Sequence, residues 1–105
     1  MASIAPSLVR DFLMHVIGNK ERYSYNVRHR NHVVVHYRQF YAYLFMRGID
    51  ASLVEVSGLF RTYVLNYLEE LKEKGLVKEY WTEKSSRKVP MKVHIILTDG
   101  AGGSQ

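Results

Sequence analysis

The chain has 105 residues, a formal net charge of +5 and a hydrophobic fraction of 47%. That length accommodates one compact core and no second, and the hydrophobic fraction excludes a chain that is disordered throughout. A pI of about 9.6 favours polyanionic partners such as nucleic acid or an acidic membrane surface.

Cysteine is absent, which excludes disulfides and thiolate metal ligation. No apolar run approaches the roughly 20 residues of a membrane-spanning helix. Phe12–Ile17 is too short, and no small-residue cleavage site follows it, so no signal peptide is read. The expected setting is cytoplasmic.

Met1 to Pro6 reads as a flexible start. From Ser7, Leu8, Val9, Phe12, Leu13, Val16 and Ile17 fall on one helical stripe, with Ser7 as N-cap and Gly18-Asn19 as the stop. Lys20 to Arg30 is basic and tyrosine-rich and has no helical period. Tyr23, Tyr25 and Val27 alternate, which suits a short strand or an ordered loop.

A helix is expected from Asn31, its cap, to Gly48, on the recurrence of Val33, Val34, Tyr37, Phe40, Tyr41, Leu44 and Phe45. The three successive valines favour a strand instead, and a hairpin over 22–37 is the competing reading. Asp50 is placed to cap a short helix, 51–57, which Gly58 ends. A third helix runs from about Phe60 to Lys74, with Val64, Leu65, Tyr67, Leu68 and Leu71, and Gly75 caps it. Leu76–Thr82 and Lys92–Thr98 read as two strands joined by a polar loop. The tail 101–105 is Gly-rich and flexible.

Helix, short link, short helix, glycine turn, longer helix and β-hairpin follow one another. The run GLFRTYVLNYLEELKEKGLVKEYWTEKSSRKVPMKVHIILTDG resembles small winged helix-turn-helix regulators of the MarR, ArsR and PadR type. Val64, Leu68, Leu71, Gly75, Leu76 and Val77 fill that family's core spacing, and Leu97-Thr98-Asp99 its strand end. The resemblance implies an α+β fold: a winged helix-turn-helix of three helices and a C-terminal β-hairpin wing over 31–100. Residues 1–30 then add an extra N-terminal helix and a basic segment.

Such a protein is expected to bind double-stranded DNA and regulate transcription as a homodimer, with no enzymatic activity, cofactor or metal. The helix 60–74 would enter the major groove, presenting Arg61, Thr62, Leu65 and Asn66. Arg61 suits guanine and Asn66 adenine. The wing, 83–92, would lay Lys84, Arg87, Lys88 and Lys92 on phosphates, joined by Arg28 and Arg30. The dimer surface would comprise Leu8, Val9, Phe12, Leu13, Val16, Tyr37 and Tyr41.

Two alternatives remain open. Phe60 and Leu65 suit a protein-docking module, while Glu69 and Glu70 put negative charge near the outer face of the helix, where it repels phosphates. The tyrosines of 23–43 among Lys20, Arg22, Arg28, Arg30 and Arg38 suit RNA or single strands. His29, His32 and His36 could share part of a helix face, but no further ligand accompanies them. No nucleophile with its base, and no carboxylate pair, is identifiable.

Overall fold

The computed structural model describes residues 4–26, 28, 31–83 and 91–99. It is an α+β protein. Among the described residues, helices α1 (Ser7–Gly18), α2 (Lys20–Tyr23), α3 (Tyr37–Met46) and α4 (Leu53–Glu73) combine with strands β1 (His32–Val35), β2 (Val77–Glu83) and β3 (Lys92–Leu97). The strands form one antiparallel sheet in the order β1-β3-β2. This arrangement is compatible with a small winged-helix-like fold.

The stripe expected in α1 is real and points inward. Val9, Phe12, Leu13 and Val16 are at most 1% exposed. Phe12 lies at the centre, its ring 5.5 Å from Phe40, 5.6 Å from Tyr43 and 6.4 Å from Phe60. Four of the residues expected at a dimer surface are therefore buried in this chain's own core, while Leu8, Tyr37 and Tyr41 lie half-buried at its margin. The N-terminal helix is part of the three-helix core with α3 and α4, not an addition to it. Pro6, not Ser7, precedes its first turn: the Val9 amide donates to the Pro6 carbonyl at 2.9 Å.

The helix expected from Asn31 is instead a strand and a shorter helix, with only His36 between them. The β-branched residues decide this. Val33 and Val35 face the core and alternate with His32 and Val34 on the outer side. β1 pairs with β3, whose Val93, Ile95 and Leu97 are buried on the same side as the valines. Lys20–Tyr23, read as non-helical, forms one helical turn. Beyond it the chain runs antiparallel to β1, through a bridge between Ser24 and Val33 and a Tyr25 amide bonded to the His32 carbonyl.

The expected break at Gly58 is absent, because α4 is one helix of 21 residues. A mid-helix glycine costs about 0.5–1 kcal/mol relative to alanine. Val56, Phe60, Val64, Leu68 and Leu71 form an unbroken buried stripe across it, and burying even one such side chain outweighs that cost. The cap is Ser52, not Asp50: its hydroxyl accepts from the Glu55 amide at 3.1 Å. Ser52-x-x-Glu55 is the sequence sign of a helix start. A methyl group at position 58 would meet nothing within 4 Å. Gly58→Ala should therefore stabilise the protein by about 0.5–1 kcal/mol, measured as a higher urea midpoint.

The helix stops expected at Gly48 and Gly75 are found. Gly48 (φ 74°) and Gly75 (φ 84°) adopt the left-handed conformation. The next amides return to the helix, Ile49 to the Leu44 carbonyl and Leu76 to the Leu71 carbonyl, as in a Schellman cap. Thr98 then fastens β3 beside this corner, its hydroxyl donating to the Gly75 carbonyl at 2.8 Å, and Asp99 accepts from the Asn31 amide side chain at 3.1 Å.

Candidate nucleic-acid interface

Helix α4 buries one stripe, so its opposite face is open. Arg61, Thr62, Leu65 and Asn66 are all exposed there. They do not begin the helix as expected. Because α4 starts at Leu53, Arg61 lies about 12 Å along it, at 1.5 Å per residue. The N-terminal end presents Leu53, Val54, Ser57 and Gly58, with Val54 84% exposed. Together with Tyr37 and Arg61, these residues line a shallow depression between α3 and α4. Sequence reasoning missed Val54 and Ser57 because it ended a separate helix at Ser57.

Phe60 is only 2% exposed and packs on Phe12 and Phe40, so it offers no docking surface. Leu65, at 38% exposed, remains outside. Glu69 and Glu70 are engaged. Glu69 accepts from the Tyr80 hydroxyl at 2.6 Å, a bond that pushes the Tyr80 pKa up to about 12. Glu70 pairs with Arg10 at 3.1 Å and with Lys74 at 3.3 Å. The two cations offset the charge of Glu70, whereas the neutral Tyr80 hydroxyl leaves the charge of Glu69 in place.

Of the expected phosphate-binding residues, Arg30, Lys84, Arg87 and Lys88 lie outside the described residues. Arg28 is exposed. Lys92 is not at a hairpin tip: it opens β3 opposite Glu83, half-buried, and alternates with the core residue Val93 on the outer face of the sheet.

That outer face carries a cluster not foreseen as a unit. His94, only 6% exposed, lies 2.8 Å from the Glu83 carboxylate through Nε2 and 2.9 Å from Nε2 of His32 through Nδ1. With a neutral His94 ring, these contacts assign its Nε2–H to Glu83, leaving Nδ1 to accept from His32. Trp81 stacks on His94 with the ring planes 3° apart, and Tyr25 stacks on His32 at 4.6 Å. His32 and His94 are 62 residues apart in sequence; strand pairing alone brings them together. Among the described residues, no three His, Asp or Glu side chains are grouped closely enough to hold a metal ion.

Beside this cluster a cavity of about 390 Å³ opens between α2, the start of α3 and the sheet, with Arg22, His36 and Lys92 in its wall. The amide of His36 donates to the Gln39 side chain at 3.0 Å, one half of a capping box in which the His36 side chain turns back to the Gln39 amide. Burial, followed by the charges of Arg38 and Lys92, pulls the His36 pKa below its ordinary value. The hydrogen bond from His94, followed by the charge of Lys92, holds the Glu83 carboxyl below the usual glutamate range.

Both shifts have the same consequence in acid. A depressed His36 makes the unfolded chain the better proton binder, so stability is complete above the ordinary value of 6.5 and falls below it. The Glu83 contribution is likewise present above the ordinary carboxylate value and is lost as pH falls through the lowered one. Thermal melts over a pH series should show the protein weakening below about pH 6.5. His36→Gln should flatten the upper part of that decline, and an unchanged profile would remove His36 as its source.

No helix among the described residues is long and apolar enough to cross a membrane. In comparisons with known proteins, the chain matches no family model, no curated protein and no solved structure.

Proposed function

We propose that the protein is a winged helix-turn-helix protein that binds double-stranded DNA, with regulation of transcription as its role. One observation carries this reading. Helix α4 follows α3 after the short link 47–52 and leaves Arg61, Thr62, Leu65 and Asn66 exposed along one face. A face of that kind fits a major groove wide enough to accept an α-helix. In this reading α3 and α4 are the helix-turn-helix, and β2 and β3 with the residues between them form the wing. Val54 and Ser57 join the contact set, since the leading end of a recognition helix lies nearest the bases; Val54 suits a thymine methyl group. A net charge of +5 supplies the general attraction to phosphate.

The test is binding to a duplex selected from random sequences, against unselected duplex, across a salt series. Arg61→Ala and Asn66→Ala should each lose about 1–3 kcal/mol of discrimination between the two, the worth of a bidentate base contact. Both positions are exposed, so folding should be retained. Arg87→Ala with Lys88→Ala should weaken binding to both duplexes alike and flatten the salt dependence. Wild-type affinity in both Arg61 and Asn66 variants would remove α4 from the interface.

A further inference from the structure

We propose that the outer face of the sheet is a second nucleic-acid surface, which takes unpaired nucleotides of a single strand. The inference is independent of the duplex reading, because this face lies on the other side of the sheet from the core that α4 helps to form.

Four rings make one continuous layer there. Tyr25 stacks on His32, His32 contacts His94 at 5.1 Å between centroids, and His94 stacks on Trp81. The two outer members are open to solvent, Tyr25 57% and Trp81 43% exposed. Exposed aromatic rings normally lose side-chain freedom when a ligand stacks on them. Here the supporting histidines are already fixed, since the hydrogen bonds from His32 through His94 to Glu83 tie β1, β3 and β2 together at ring level. A base can thus stack on a rigid surface, whichever base it is, because every base has a π-face.

Charge makes the same face suit a phosphate-linked strand. Arg22 and Lys92 line the adjoining cavity with one carboxylate, Glu83, which is bonded to His94; neither cation has an ion-pair partner within 4 Å among the described residues, so positive charge is in excess there. Cations beside a stacking layer are the arrangement that single-strand binding requires. A duplex would gain less, since its bases are already stacked on one another and present no free face.

Trp81 is the only tryptophan of the chain, so its fluorescence reports directly on the surface. Titration of the full chain with oligothymidylate or oligouridylate at low salt should quench it in a saturable way. A duplex of equal length should quench it far less. Tyr25→Ala should weaken single-strand binding by roughly ten- to a hundredfold, as for loss of one stacked base. Lys92→Gln should weaken it and lower the salt slope by about 0.7, one phosphate's share on a single strand. Arg61→Ala with Asn66→Ala should leave the quench intact, which separates this surface from α4. Circular dichroism checks each fold; should Tyr25→Ala unfold, Lys92→Gln carries the test alone. Absence of saturable quenching, equal quenching by duplex, or quenching that survives both Tyr25→Ala and Lys92→Gln overturns the proposal.

Discussion

Phe60→Ala should lower stability by about 3–5 kcal/mol, the usual cost of truncating a buried phenylalanine to alanine. The side chain is 2% exposed and touches the rings of Phe12 and Phe40 at 6.4 and 6.0 Å. Truncation removes the transfer energy of a large apolar group and leaves a cavity between α1, α3 and α4. Domains of this kind have only about 5–15 kcal/mol in total, so the variant should sit near its unfolding transition at ambient temperature. A urea denaturation curve measures the effect. The outcome also separates two roles for position 60. A docking residue, as the sequence allowed, would lose a partner and keep its stability; a core residue loses stability first, and binding only with it. Leu65→Ala supplies the contrast. At 38% exposed, it should cost far less in the same measurement.

The ambiguity at Phe60 shows where sequence pattern is informative and where it fails. The stripes of α1 and of the second half of α4 were legible because each keeps a helical period and ends at a glycine or Gly-Asn. The strands after Gly75 were legible to within a residue at either end, since alternation and flanking polar residues mark them. β1 was legible only as the competing reading, a hairpin over 22–37 raised by the three valines, because Val33, Val34, Tyr37 and Phe40 also fit helical spacing. What placed the valines in a strand was the partner edge of β3, far away in sequence. α4 was divided at Gly58 because local glycine preference was weighed without the burial on both sides of it. The Ser52-x-x-Glu55 sign was present and would have placed the start correctly.

The candidate site divides the same way. The exposed face of α4 follows from period alone, so Arg61, Thr62, Leu65 and Asn66 were found before the fold. The ring layer on the sheet could not be. His32 and His94 belong to segments without a shared motif, and Trp81 sits in a strand where an exposed aromatic residue looks ordinary. Their contact depends on the register that sets Trp81 opposite His94 and Val34 opposite the same residue. A shift of one residue would turn His94 into the core and Val93 outward. The buried side of β3 is Val93, Ile95 and Leu97, so the hydrophobic pattern that fixes the register also fixes the cluster.

Phe12→Glu with Leu13→Glu should abolish folding, not merely dissociate two copies. Both side chains are at most 1% exposed in an isolated chain, and Phe12 touches Phe40, Tyr43 and Phe60 at once. Arg10, the arginine on α1, is already paired outside with Glu70. Burying one unpaired charge costs several kcal/mol, and two remove the apolar contacts as well. The summed penalty exceeds the stability of an ordinary domain at its lower end. Far-UV circular dichroism should lose its helical signal and light scattering should report an expanded or aggregated chain. A dimer built on this stripe predicts the opposite: a folded, well-behaved monomer of 12.3 kDa. That result would mean the N-terminal helix can leave the core without the rest unfolding. The Phe12–Tyr23 edge contact at 6.1 Å would then break with it, freeing α2. Since α2 carries Arg22 into the wall of the sheet-face cavity, loosening α1 would reach the single-strand surface as well. The double variant therefore tests the core directly and, through Trp81 fluorescence, the integrity of the cavity beside it.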